Sequence, residues 1–425
     1  MKTQNRTRKD PYISLRYPEF RAYITMRFVL TFGYQMQAVI VGWHVYNLTK
    51  DPLSLGLIGL AEAIPSIGIA LYGGYIADKS DKKKLLVWVL ATMLVCSIIL
   101  LVVTMPSIDA YLPNRIELWI IYLTIFCIGI ARGFYAPTGF SLMSEMIPKE
   151  HYPNSATWHS SSWQLATIVG PAAGGLLYGY FGATACFLVI VACMFISLVA
   201  IAFFVADHPP KFTPKENIFK SLLEGVQFVW KSKLMLSALS LDLFSVFFGG
   251  AVALMPIFAD EILKVGAQGL GLLRAAPAIG AVLTMTLMTY YSPMNKPWRN
   301  LLLVLAGFGA SIVCFGLSRN FYLSLAFLFC EGAFDSVSVI IRTNILQLLT
   351  PEGMRGRVSA VSSMFIGSSN ELGAFESGVS ARLMGVVPSV LFGGGMTLLI
   401  VGYTYLKTKA AFGLNTATFG EISAK

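Results

Sequence analysis

Apolar stretches about 20 residues long, enough to cross roughly 30 Å of hydrocarbon, recur from Arg21 to Ala410 with short polar breaks between them. Twelve can be read, over approximately residues 22–48, 53–77, 84–105, 117–140, 155–180, 184–205, 234–258, 269–290, 299–318, 321–346, 358–383 and 386–407. Helices satisfy their own backbone groups in lipid, and no alternating barrel-strand pattern occurs, so the expected fold class is an all-α membrane protein. The polar stretch Met1–Arg21 runs into a full-length span instead of a short apolar segment with a cleavage site, so the first helix is expected to remain.

The longest polar break divides the spans into two sets of six. This predicts an N-terminal six-helix bundle over residues 1–206, a linker over 207–233, and a C-terminal bundle with its tail over 234–425. The linker carries His208, Pro209 and Pro210, then Ile218, Leu222, Leu223, Val226 and Val229 or Trp230 at helical spacing. That spacing predicts a short amphipathic helix, lying on the membrane surface or packed on the end of the bundle. An offset of 203 residues superposes Cys127 on Cys330, Gly129 on Gly332, Pro148 on Pro351, Gly170 on Gly373, Gly175 on Gly378 and Gly182 on Gly385. The halves therefore read as parallel repeats, and the same register sets Arg132 and Asp335 at equivalent depth.

With 56% hydrophobic and 13% charged residues among 425, the chain is too apolar for a soluble core. Its formal charge of +10 would suggest nucleic acid in a soluble protein, but the positions of the basic residues say otherwise. With both termini cytoplasmic, inside segments hold Lys79, Lys82, Lys83, Lys84, Lys211, Lys215, Arg355 and Arg357 among others, and outside loops hold only Lys50, Arg115, Lys264 and Arg319. This is the positive-inside skew, which needs no nucleic-acid partner. All six cysteines fall within apolar spans, so no disulfide framework or metal site is expected, and no cofactor.

Two motifs carry a resemblance. Between the second and third spans, Gly74-Tyr75-Ile76-Ala77-Asp78-Lys79-Ser80-Asp81-Lys82-Lys83-Lys84 resembles the major facilitator signature, with Asp81 where that superfamily usually has glycine. Gly74 would let helices approach, and Asp78 with Lys79, Lys82 and Lys83 would latch onto the start of the eleventh span near Gly356–Ser359. The plain reading of these lysines is topological orientation. In the fifth span, Gly170, Pro171, Gly174 and Gly175 resemble the superfamily's antiporter motif, with Ala166 at its first glycine. Close packing explains such residues equally well. From about Tyr17 to Tyr405 the chain is similar to the family containing enterobactin exporters and macrolide or other drug efflux pumps. The residues behind this are Leu60–Pro65, Arg132–Pro137, Leu239–Phe244, Gly271–Pro277, Met354–Val358 and Ser369–Gly373.

Charges deep in a span cost a few kcal/mol on insertion scales and are functional candidates, with pairing for bundle specificity as their bland alternative. Glu62, Arg132, Asp242, Arg274, Glu331, Asp335, Arg342, Glu371 and Glu376 fall within the spans, while Arg27 and Arg382 read as snorkelling to an interface. Glu331, Asp335, Ser338 and Arg342 form one helical stripe expected to face a cavity. Proton coupling needs a carboxylate in a dry setting. Asp242, amid Leu241, Leu243, Phe244, Phe247 and Phe248 with no basic residue within a turn, is the first choice, followed by Glu62 and Glu371. Arg132 is expected to pair with a carboxylate. The substrate cavity is assigned to Arg132, Asp335, Arg274, Glu331 and Arg342, with Tyr34, Gln37 and Trp163 as polar and aromatic contacts.

An enzyme is disfavoured, since no phosphate-cradling loop, zinc-protease motif or nucleophile elbow occurs. The resemblance implies the major facilitator fold and proton-coupled export, or antiport, of a small organic molecule, and a monomer is expected because such a fold encloses its own pathway. It places the chain in the bacterial inner membrane, with the bilayer, protons and substrate as its partners. A siderophore of the enterobactin type is the first substrate, with multidrug or macrolide efflux and proton-coupled nutrient import as alternatives.

Overall fold

The computed structural model describes residues 11–109, 111–207, 218–288, 290–291, 293–351 and 354–408. Helix α1 (Pro18–Thr49) starts with proline at its first position, where a missing N–H is harmless, and ends at Lys50 in the left-handed region. Asp51 then caps α2 (Pro52–Lys79) by accepting from Leu53 N at 3.1 Å, so the turn at this "upper" end is two residues long. At the "lower" end Asp81 caps α3 (Lys82–Val103), accepting from Lys83 N and Lys84 N at 3.0 and 3.2 Å. Its φ of −63° shows why aspartate serves where the resembling signature has glycine: the position caps a helix and needs no left-handed backbone.

Helix α4 is Asn114–Met146, and the next helical stretch, Tyr152–Phe204, is folded at Gly182 (φ 76°) into arms α5 (152–181) and α6 (183–204). Helix α7 (Ile218–Lys231) precedes α8 (Lys233–Phe248), which continues through Ala251–Ile257 and a π-turn over Phe258–Ile262. Then follow α9 (Gly266–Met288), α10 (Pro297–Leu317), α11 (Phe321–Leu349), α12 (Arg355–Met384) and α13 (Val386–Lys407).

Ten helical segments among the described residues are long and apolar enough to cross a membrane. Two features separate that number from the twelve read in the sequence. The fold at Gly182 makes two arms of one 51-residue segment. Helix α12, rich in Ser and carrying Glu371 and Glu376, falls short in hydropathy, but it lies sheltered against α2, α8 and α13.

One apolar core draws on α1 and α3–α6, and another on α7, α8 and α10–α13. A third mixes Val39, Trp43, Tyr46 and Leu55 with Leu254, Phe258, Leu270 and Leu273, joining the halves at the upper end. The 203-residue register is visible in the packing. Gly129 of α4 meets Glu62 O and Pro65 of α2, and Gly332 of α11 meets Pro277 O of α9. Gly170 lies on Phe32 and Gln35 of α1, and Gly373 on Val246 and Phe247 of α8. Gly182 and Gly385 are both turns of positive φ, 76° and 93°.

Gly175 and Gly378 cross between halves. A Cβ at Gly175 would lie 2.6 Å from Gly271 Cα, and one at Gly378 would lie 2.8 Å from Gly56 Cα. Down the same face of α12, Ala374 and Glu371 lie against Gly59, whereas a Cβ at Gly367 would meet nothing within 4 Å. The halves are thus pressed together at the upper end and part along this seam below Glu371. The α5–α9 seam remains in contact lower down, where Gln164 Nε2 donates to Met285 Sδ at 3.4 Å. Helix α7 packs on the C-terminal helices: Gly225 lies against Arg357 O, Glu224 pairs with Arg357, and Val229 joins their core.

Because Gly271 backbone cannot yield to a new side chain, Gly175→Leu should destabilise the closed arrangement by about 1–3 kcal/mol. Spin labels on the α1–α2 and α8–α9 turns should move apart. An unchanged distance together with an unchanged melting temperature would contradict this packing.

Candidate functional site

At mid-depth, four helices bring their polar side chains together. Helix α4 lies so close to α2 at Gly129 that Arg132, one turn on, is laid against Glu62. Tyr34 of α1 donates to Glu62 Oε1 at 2.5 Å, accepts from Arg132 Nη1 at 2.9 Å, and offers its ring to the guanidinium at 4.9 Å. Arg132 also reaches Glu371 Oε1 of α12 at 3.4 Å, across the divide between the halves. One guanidinium therefore serves two carboxylates, tightly within its own half and more loosely in the other.

Asp242 has a different setting from the one its neighbours in sequence imply. Helix α11 packs on α8 and places Arg342 in an ion pair with Asp242, both almost wholly buried. The apolar surroundings read from the sequence are real. The missing basic partner is supplied from exactly one hundred positions along the chain.

The α11 stripe divides accordingly. Ser338 and Arg342 are buried inside the C-terminal helices, whereas Glu331 and Asp335 are half-buried and ion-pair with no described residue. Glu331 Oε2 is sealed from solvent without a hydrogen-bond partner. No ion pair joins Asp335 to Arg132, whose partners are Glu62 and Glu371. Arg274 of α9 points toward α1, near Gly42 and within electrostatic reach of Tyr34, and its Nε also lacks a partner.

Gln37 is buried within the N-terminal half, accepting from Ser97 Oγ at 3.0 Å, which removes it from any cavity. Trp163 is 45% exposed. In the fifth-span motif, Gly170 and Gly174 receive α1, while Gly175 and the carbonyl of Pro171 receive Gly271 of α9. Lys82 pairs with Glu145 at 2.9 Å and Lys83 with Asp207 at 3.1 Å, so the ion pairs described for these lysines lie within their own half. Lys79 is exposed. The side chains of Asp78, Gly356 and Ser359, and the packing of Gly74, lie outside the described residues.

Sequence reading missed two polar pairs near the upper end: His44 with Glu117, at 2.6 Å, and Tyr46 with Glu261. Glu117 looked like a boundary residue of its span, and only the fold turns it onto α1. Among the described residues, no group of three or more His, Cys, Asp or Glu could hold a metal ion.

The family described as transmembrane secretion effector matches residues 9–415. The enterobactin exporter EntS of Shigella flexneri is 26% identical over 395 residues, covering 92% of this chain and 91% of that protein. The enterobactin exporter EntS of Escherichia coli O157:H7 (strain EC4115 / EHEC) aligns with the same identity and coverage. Among solved structures, a D-xylose–proton symporter superposes with a TM-score of 0.72 at 12% identity, covering 94% of this chain and 99% of its own. A POT family transporter in complex with 5-aminolevulinic acid gives 0.72 at 12%, covering 92% and 96%. At these identities the structural likeness establishes the major facilitator fold.

Arg342→Ala would strand Asp242 as a buried lone charge and should cost about 3–5 kcal/mol, whereas the double variant Asp242→Leu/Arg342→Met should lose much less. Thermal unfolding of the purified proteins checks this. A double variant as damaged as the single one would show that the pair is not the source of the loss.

Proposed function

We propose an exporter from one premise: the chain belongs to the transmembrane secretion effector family. The activity is proton-coupled export of a small organic molecule across the bacterial inner membrane, with the basic lower end and both termini in the cytoplasm. The observation that carries the coupling is the Arg132–Glu371 contact, an ionic tie between the halves at mid-depth. When the site faces outward, a proton taken from that side neutralises Glu371 and keeps it off Arg132, which Glu62 and Tyr34 hold in place. Release of the proton to the cytoplasm restores the tie. Glu371, with Glu62 behind it, therefore takes precedence over Asp242, whose pairing with Arg342 makes it a structural group.

Two features support a siderophore of the enterobactin type as the cargo. Relatives covering nearly the whole chain are named enterobactin exporters. Arg274, which ion-pairs with no carboxylate among the described residues, suits an anionic, oxygen-rich group better than Arg132, which two carboxylates already engage. A second reading, multidrug efflux, draws on Glu331 and Asp335, which suit a cation.

In everted vesicles, Glu371→Gln should abolish export driven by a pH gradient while counterflow exchange survives, and Asp242→Asn should reduce the yield of folded protein instead. Full gradient-driven export by Glu371→Gln would remove that residue from coupling. Binding to purified protein separates the cargoes. Arg274→Ala should weaken a catecholate siderophore by roughly the tenfold of one charge-assisted bond and spare a cationic drug. The reverse pattern, with Asp335→Ala abolishing drug binding, would assign multidrug efflux.

A further inference from the structure

Two turns below Tyr34, on the same face of α1 and about 10 Å nearer the lower end, lies Arg27. Tyr23 of α1, Tyr135 of α4 and His159 of α5 surround it, all within electrostatic reach. Tyr135 is three residues past Arg132 on α4, so this group sits directly beneath the central cluster, on the side where α2 and α12 part. Tyr23 is fixed by donating to Gly139 O at 3.0 Å, and its ring stacks on His159 at 6.2 Å with 8° between planes.

Unlike Arg132 and Arg342, Arg27 has no carboxylate at ion-pair distance among the described residues. Its Nε is sealed from solvent with no acceptor, and although the guanidinium comes within bonding reach of the Tyr23 and Tyr135 hydroxyls, neither phenol offsets its charge. Snorkelling to the membrane surface does not describe a guanidinium whose Nε is enclosed by three helices. Unmet donors beside an uncompensated charge are costly unless something of opposite charge meets them for part of the cycle. The chemistry on offer is a planar cation, a phenol, an imidazole and a stacked aromatic pair. It suits a flat aromatic ring bearing adjacent anionic oxygens.

We propose that Arg27, Tyr135 and His159 form a second, lower binding site for an aromatic oxygen anion of the catecholate or hydroxybenzoate class, occupied before cargo reaches Arg274. The site extends the export reading and gives the cargo two stations, one near each side of the central ion cluster.

The test is equilibrium binding to the purified full-length protein, with 2,3-dihydroxybenzoate as anionic probe and catechol as neutral comparator. Arg27→Gln should weaken 2,3-dihydroxybenzoate by about tenfold or more and leave catechol unchanged. Arg27→Lys should recover part of the loss, and Tyr135→Phe should produce a smaller one. Retained affinity in Arg27→Gln, equal loss of both probes, or no binding of 2,3-dihydroxybenzoate by the unaltered protein would each overturn the site. Siderophore export in everted vesicles distinguishes the two readings. An Arg27-dependent probe site in a protein that exports no siderophore leaves the site standing and removes the siderophore reading. Siderophore export by a protein whose Arg27→Gln variant still binds the probe fully does the opposite.

Discussion

Arg132 carries a positive charge to mid-depth in a membrane protein, and the neighbouring helices are spaced so that carboxylates can meet it. Gly129 lets α4 approach α2 closely enough for Glu62 to pair with it. Gly56 and Gly378 bring α2 and α12 into backbone contact, and Ala374 and Glu371 follow against Gly59, which puts the second carboxylate within 3.4 Å. A methyl group at Gly129 would meet Glu62 O at 2.5 Å and one at Gly378 would meet Gly56 Cα at 2.8 Å, so the helices would have to shift to admit either. Charge placement here is a consequence of helix packing, and helix packing a consequence of a few missing side chains.

The upper closure has two kinds of contact, and their magnitudes differ. Lys50 with Asp260, at 2.8 Å, and Asp51 with Arg382, at 3.5 Å, both join the α1–α2 turn to the C-terminal helices. All four side chains are substantially exposed, and such pairs are worth roughly 0–1 kcal/mol each. The mixed apolar core and the glycine contacts beneath them are dry and directional. They hold the seam, and the ion pairs guide its register.

Most of the fold was legible in the sequence because spans are written locally. Length, hydropathy and the 203-residue register recovered the helices, and the paired glycines proved to make equivalent contacts in each half. What escaped depended on which face each helix turns to its neighbours. Asp242 looked isolated because its partner is on another helix. Gln37 and Arg342 looked like cavity residues, but one faces α3 and the other α8. Lys82 and Lys83 belong to a motif whose resemblance implies a contact with α12, yet their nearest carboxylates are in their own half. The Glu62–Arg132 pair was foreseen as a type of contact because an arginine at that depth needs a counter-ion, which is a physical requirement and does not depend on knowing the neighbour.

Gly182 and Gly385 turn the chain between helices with no intervening loop. A connection without slack transmits torque. Tilting α5 must carry α6 with it, and tilting α12 must carry α13, so each hairpin behaves as a stiff V-shaped lever with its apex at the upper end. The α3–α4 connection, spread over residues 104–113, imposes no such constraint. Each lever bears on one face a seam with the opposite half and on the other its own apolar core, so sliding at the seam becomes rotation of a six-helix body and not bending of a single helix.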